Sequence, residues 1–397
     1  MKKLTLLIFA FLLFSCDKDS ADDFENNSSN SDSGYTVIGN YYDLSINGGT
    51  QSRELYEHVN NGAEYDSRNY VNLFTEASVV LPNYEDYYAD EYGITIMENA
   101  IGRNYYTFYY KSFITNEILK YDVPYFNPHD WSYWHYQEKI YFQYSDFDSF
   151  NSNDGTTDFK IKIFDVNTNN ETELNIGKFK WSANSKFETL YNGRYTYFLW
   201  YEDRSNPLAE KLLTVIDLDN VEVVDIKTVL KDDSYNLVGE RNGNCYLLGR
   251  YGGNYQYDVE STNLLEINIP GEAGQFQASF KSKRNPQIVI DDVFFGSRTG
   301  AFPGTGALYP VIFNLKTGES IFIDVFEDIT KFESDEVEWQ PLVECFTIDY
   351  ENKVVLLGVS SYSLGGQFKS QGVFTVDFEG NVLNKQKIPI LPIQIIN

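Results

Sequence analysis

From residue 35 onward, short apolar runs alternate with tight polar turns, and hardly any segment repeats at the 3.6-residue period of a helix. The runs are rich in Tyr and Phe, which favour a pleated, half-buried strand. One hairpin recurs as an apolar strand, a polar turn and a second strand. It reads as 159–164 and 173–176 around Asp165-Val166-Asn167-Thr168-Asn169-Asn170, and as 212–216 and 221–226 around Asp217-Leu218-Asp219-Asn220. Further copies are 255–259 with 264–269, 311–315 with 320–325, and 373–378 with 382–388. A looser copy pairs 105–113 with 118–123.

Between these lies a second hairpin type: 131–136 with 140–144, 187–191 with 195–201, 235–238 with 245–248, 288–290 with 293–295, and 345–349 with 354–359. Its turns hold pairs such as Asn192-Gly193, Asn242-Gly243 and Asp291-Asp292, which accept the positive φ of two-residue hairpins. Two hairpins in alternation make four antiparallel strands per unit, spaced roughly 40 to 60 residues, the period of propeller blades. A blade buries its faces only against its neighbours, so the units must close in a ring. The expectation is an all-β, β-propeller fold over 35–397, with six blades as the first count and seven as the alternative. Residues 35–66 would either lend a closing strand or open the seventh blade.

The beginning of the chain follows a different pattern. Lys2 and Lys3 precede an apolar run over 4–14, too short to span a bilayer, so 1–15 reads as an export signal. Leu13-Phe14-Ser15-Cys16 resembles the bacterial lipobox, with leucine at −3 and a small residue at −1 to cysteine. Phe14 at −2 is bulkier than that pattern's usual residue. The acidic run Asp17-Lys18-Asp19-Ser20-Ala21-Asp22-Asp23 resembles the surface-export signal of Gram-negative lipoproteins. These likenesses imply cleavage before Cys16, lipid on its thiol, and an outer-membrane location facing the exterior. After Cys16, residues 17–34 are mainly Asp, Asn and Ser with one apolar side chain larger than Ala, Phe24; 16–34 reads as a flexible tether.

The formal net charge is −27, and loss of residues 1–15, with Lys2 and Lys3, makes it −29. Such a balance argues against nucleic acid, which needs a basic footprint, and against adhesion to anionic lipid. Cys245 and Cys345 each sit in an apolar run and read as buried thiols. Three histidines, His58, His129 and His135, are too few for most zinc or dyad sites, and neither metal nor cofactor is expected.

Candidate chemistry gathers at one end of the expected ring. The turns within each hairpin are short, whereas the loops between hairpins are long: 145–158, 201–211, 296–308, 360–371, and the links 177–186 and 270–285. Arg204, Arg250 and Arg298 follow equivalent strands of three successive blades. Lys281, Lys283 and Arg284 lie in one link, and Lys178, Lys180 and Trp181 in another. Trp200, Tyr201, Tyr251, Phe302 and Tyr362 stand near them. Guanidinium groups bind anions bidentately and aromatic faces stack on rings, so the set reads as a binding funnel for an anionic, ring-bearing ligand. The competing reading is scattered charge paired with local carboxylates.

Three motifs point elsewhere and were weighed. Residues 300–306 are glycine-rich but lack the Lys-Ser/Thr and helix of a phosphate loop. Asp165-Val166-Asn167-Thr168-Asn169 alternates oxygen ligands, yet it coincides with a hairpin turn. Asp146, Asp148, Glu202, Asp203, Asp291 and Asp292 are candidates for a glycosidase pair, in a chain where acids are common.

The whole resembles surface-exposed β-propeller lipoproteins of Gram-negative bacteria, in signal and architecture only. That likeness implies capture of a ferric siderophore or a glycan for an outer-membrane receptor. The alternatives are a glycan-active hydrolase or lyase, and a scaffold lipoprotein that docks other proteins.

Overall fold

The molecule, a computed structural model, is described for residues 34–43, 50–61, 64–69, 84–98, 105–124, 132–181, 185–203, 206, 208–229, 235–240, 244–249, 253–270, 276–277, 288–299, 308–323, 339–363 and 368–397. All belong to one unit, Asp32–Asn397. The signal segment and tether expected over 1–33, with Cys16, lie outside these residues.

Strands begin with β1 (Tyr35–Asp43), β2 (Thr50–Asn61) and β3 (Glu64–Asn69). The next sets are β4 (Tyr84–Ala89), β5 (Gly93–Glu98), β6 (Tyr105–Ser112) and β7 (Ile118–Pro124), then β8 (Ser132–Tyr136), β9 (Lys139–Asn151), β10 (Thr156–Asp165) and β11 (Asn170–Lys180). They are followed by β12 (Lys186–Asn192), β13 (Tyr195–Tyr201), β14 (Lys211–Asp217) and β15 (Glu222–Thr228). Next come β16 (Tyr235–Glu240), β17 (Cys245–Gly249), β18 (Asn254–Asp258) and β19 (Asn263–Ile267). The short β20 (Phe276–Gln277) precedes β21 (Ile288–Ile290), β22 (Val293–Thr299), β23 (Leu308–Asn314) and β24 (Ser320–Phe322). Last are β25 (Trp339–Asp349), β26 (Val354–Ser363), β27 (Phe368–Asp377), β28 (Val382–Lys387) and β29 (Ile390–Ile396).

These strands form a β-propeller of four-stranded antiparallel blades, six when counted as hydrogen-bonded sheets. One sheet has nine strands. It holds two four-stranded sets, β16–β19 and β21–β24, joined by a short parallel pairing at Gly239↔Ile288 and Glu240↔Val289. Counted as four-stranded sets, the ring therefore has seven members. The segment over 35–66 has both of its expected roles: β1 and β2 form a blade with β3, and β1 pairs with β29.

Ring closure is carried by the core. Seven clusters of buried side chains each wedge between two consecutive sets, and the last two join β1 and β29 to the blade before and the blade after. Middle strands are thus buried on both faces. In β13, Tyr-Thr-Tyr-Phe-Leu-Trp-Tyr, every residue after the first is buried, which is why it reads as a continuous apolar run. The outer strand β15 is largely exposed and carries Glu222, Asp225 and Lys227 along the edge.

The turn at the outer hairpin of each blade repeats one chemistry. Asp165, Asp217, Asp258, Asn314 and Asp377 end the third strand, and each Oδ1 accepts backbone N–H groups two to four residues on. Ser112 Oγ plays that part in the set β4–β7. An apolar residue follows each: Phe113, Val166, Leu218, Val259, Leu315 and Phe378. In four of these its N–H donates to the inner hairpin turn of the same blade, to Tyr92, Glu138, Arg194 and Asp292 carbonyls, at 2.8–3.1 Å. The Asp165 motif is accordingly a turn device, its oxygen engaged by Asn167 and Thr168.

Candidate functional site

Both hairpin turns of a blade share one end of the ring, the turn end. The links between hairpins share the other, the loop end. The described residues cover the loop end best around β9–β15. There the segment 145–158, expected as a loop, is instead a two-stranded protrusion: β9 runs on to Asn151 and β10 starts at Thr156. Its polar–aromatic alternation, Asp146-Phe147-Asp148-Ser149-Phe150, supports pairing, and a register shift between Thr156 and Asp158 bends it.

The tip is fixed from within. Gly155 adopts φ 70°, its N–H donates to the Asn151 carbonyl at 2.8 Å, and Asp154 accepts the Thr156 N–H and hydroxyl at 3.0 and 2.7 Å. That hydroxyl bond holds the Asp154 carboxyl below its usual range. Trp181, just past β11, donates its N–H to the Gly155 carbonyl at 2.8 Å. Its ring meets Phe150 edge to face at 6.4 Å between centroids. Phe150 is 42% exposed and Trp181 is half-buried against the core between β8–β11 and β12–β15. The result is an aromatic edge at the base of a tip whose Asn151 and Asp154 side chains bond within the turn.

The lysines of this end are engaged. Lys180 Nζ lies 3.1 Å from Glu202 Oε1, Lys178 Nζ 3.9 Å from Asp158, and Lys160 bridges Asp146 at 2.8 Å and Glu173 at 3.0 Å. Lys178 and Lys180 thus follow the paired-charge reading rather than the funnel. Trp200 and Tyr201, expected beside the basic groups, are core residues at 1% and 2% exposure, because β13 is a middle strand packed on both faces.

Of the other funnel residues, Arg204, Arg250, Tyr251, Lys281, Lys283, Arg284 and Phe302 lie outside the described residues, as does the glycine-rich stretch 300–306. Arg298 and Tyr362 are described by backbone only: Arg298 pairs with Phe276 and Tyr309, and Tyr362 with Gln340 and Phe368.

The six candidate carboxylates are split between the two ends of the ring. Asp291 and Asp292 form an inner hairpin turn at the turn end, both at positive φ, and Asp291 pairs with Lys353. Asp146 and Glu202 belong to the loop end and each holds a lysine. One constellation was invisible in sequence: Thr95 Oγ1 lies 2.6 Å from His135 Nε2, and His135 Nδ1 lies 3.2 Å from Asp90 Oδ1. The order mimics a hydrolytic triad, but Thr95 and His135 are buried at 0% and 7%, so no substrate reaches that hydroxyl. The Thr95–His135 hydrogen bond ties β5 to β8 of the next blade. Among the described residues no group of three or more His, Cys, Asp or Glu is placed to hold a metal. Cys245 and Cys345 are buried thiols in different core clusters, as expected.

No protein-family model matches the chain, and no curated protein matches it. Among solved structures, it is similar to the β-propeller domain of the Trilobed protease from Pyrococcus furiosus, at 12% identity over 88% of this chain and 94% of that one, with TM-score 0.47. A protein from Lactobacillus plantarum matches at 10% identity over 91% and 99%, TM-score 0.49. An acylaminoacyl peptidase from Pyrococcus horikoshii matches at 11% identity, TM-score 0.44, and there the chain spans half of that protein's length. The fold assignment itself rests on the strand pairing and the ring of core clusters.

Proposed function

We propose that this propeller is a binding lipoprotein, anchored through Cys16 to the outer membrane and facing the exterior, which captures a glycan for an outer-membrane receptor. The observation that carries the binding reading is the Phe150–Trp181 edge, held out at the loop end by its own hydrogen bonds. A partly exposed aromatic edge suits the C–H face of a sugar ring. Of the two ligand classes the resemblance implies, a glycan is the one that this aromatic edge suits.

Binding is tested by titrating the purified propeller with a panel of soluble polysaccharides. Phe150→Ala should weaken the bound glycan about tenfold, ~1.4 kcal/mol, with an unchanged melting temperature. A glycan bound equally well by the variant, or none bound by the parent, removes the proposed site. Anchoring is tested by metabolic labelling with a fatty-acid analogue, which Cys16→Ser should abolish.

A further inference from the structure

We infer that the turn end of the ring faces the bilayer and presents Ile114 to the lipid surface, leaving the loop end with Phe150 and Trp181 pointing away. This rests on the anchoring reading, and its geometry comes from where the chain enters the propeller. β29 is the inner strand of its blade and runs from the loop end to the turn end; β1 pairs with it antiparallel, Thr36↔Ile396 through Tyr41↔Ile390. Tyr35 therefore starts at the turn end. Residues 17–34 precede Tyr35 in sequence and so join the ring at that end. A lipid on Cys16 would therefore be joined to the ring at its turn end, the end nearest the bilayer.

Among the described outer turns, that of β4–β7 is unlike the others. Two residues after the capping Ser112, Asp165, Asp217, Asp258, Asn314 and Asp377 stand Ile114, Asn167, Asp219, Glu260, Lys316 and Glu379. Five turns place a polar or charged group there; the set β4–β7 places Ile114, at 63% exposure, beside Phe113 at 37%. Ile118, at the start of the next strand, packs in one cluster with Ile38 of β1 and Ile396 of β29, so this turn adjoins the chain's entry. The Ser112 cap and Asn116 at φ 62° hold the side chain out. An apolar tip at that point, on an otherwise acidic end, fits an uncharged lipid surface.

The experiment uses the acylated full chain in phosphatidylcholine vesicles containing doxyl-labelled lipid. A fluorophore is attached at Ile114→Cys or at Asn153→Cys, the tip of the loop-end protrusion, Cys245 and Cys345 being buried. Quenching should be severalfold stronger at 114 than at 153. Equal or reversed quenching in protein whose Cys16 carries fatty acid overturns the orientation alone. Absence of fatty acid on Cys16 overturns the anchoring reading and the orientation with it.

Discussion

Gln394 of β29 accepts the backbone N–H of Ala89 at 3.2 Å and donates to the same residue's carbonyl, across 305 positions of sequence. One side chain thus replaces a strand pairing between the closing strand and β4. Tyr35 of β1 meanwhile donates to Gln386 Oε1 of β28, tying the same blade to its other neighbour. Gln394→Ala strands two buried backbone groups at roughly 1–3 kcal/mol each. The melting temperature should drop by several degrees, whereas Gln256→Ala on β18, at a half-buried position with no such bond, should leave it nearly unchanged.

A residue one or two positions before the fourth strand is left-handed in all six described turns: Asn116, Asn169, Val221, Thr262, Gly318 and Gly380. Asn and Gly accept that conformation, while a β-branched residue pays roughly 1–2 kcal/mol. Thr262→Asn should therefore stabilise the protein by about 1 kcal/mol in denaturant titration. Val221→Asn should gain less, because Val221 also packs against the core between its blade and the preceding one. A loss at Thr262 would mean its side chain does more than the backbone suggests.

Acid should weaken the turns. The Thr168 N–H holds Asp165 below the usual carboxylate range, and the Ser261 hydroxyl and N–H hold Asp258 there. At Asp217 burial opposes, and the Arg194 guanidinium together with the Asn220 and Asp219 N–H groups outweighs it. A depressed folded pKa gives stability that is complete above the unfolded value, about 3.9, and is lost as pH falls through the folded one. Thermal melts should hold steady from pH 7 to about 5 and decline below about 4. Asp165→Asn should cost little at pH 7, since Asn314 already fills that role, and should flatten the acid decline.

What was legible in sequence was local. The Asp165, Asp217 and Asp377 turns and the Asn192-Gly193 hairpin each lie within one short window, so their strands were read within a few residues. The nine-stranded sheet was not legible, because Gly239↔Ile288 is a contact between inner strands that no hairpin rule encodes. Nor was the closing role of β29, an apolar run whose partner, β1, lies some 350 residues earlier. At the site, Trp181 stood out as an aromatic in a link. Phe150 did not, since 145–158 read as a loop and its exposure depends on the protrusion. Trp200 and Tyr201 were misplaced for the opposite reason: adjacency to Arg204 in sequence says nothing of which face of β13 is buried, and here both are.

The last prediction concerns the seam where the ring closes. A methyl group on Gly358 of β26 would lie 2.6 Å from Cys345 Sγ and 2.8 Å from Pro392 Cβ, both inside contact distance. Cys345 is the register partner of Gly358 on β25, and Pro392 belongs to β29, so glycine here lets the closing strand lie against the preceding blade. Gly358→Ala should destabilise by about 1–3 kcal/mol, the scale of overpacking a core. Cys345→Ala alone leaves a small void and should cost about 1 kcal/mol. Combining them removes the sulfur from the new methyl group's path while Pro392 still crowds it. The double variant should therefore be less destabilised than the two losses added, by more than the roughly 0.5 kcal/mol scatter of independent sites. Urea midpoints of the parent and three variants give that cycle. Simple additivity would mean that Pro392, not Cys345, sets the limit at Gly358, and Pro392→Ala in place of Cys345→Ala should then restore the coupling.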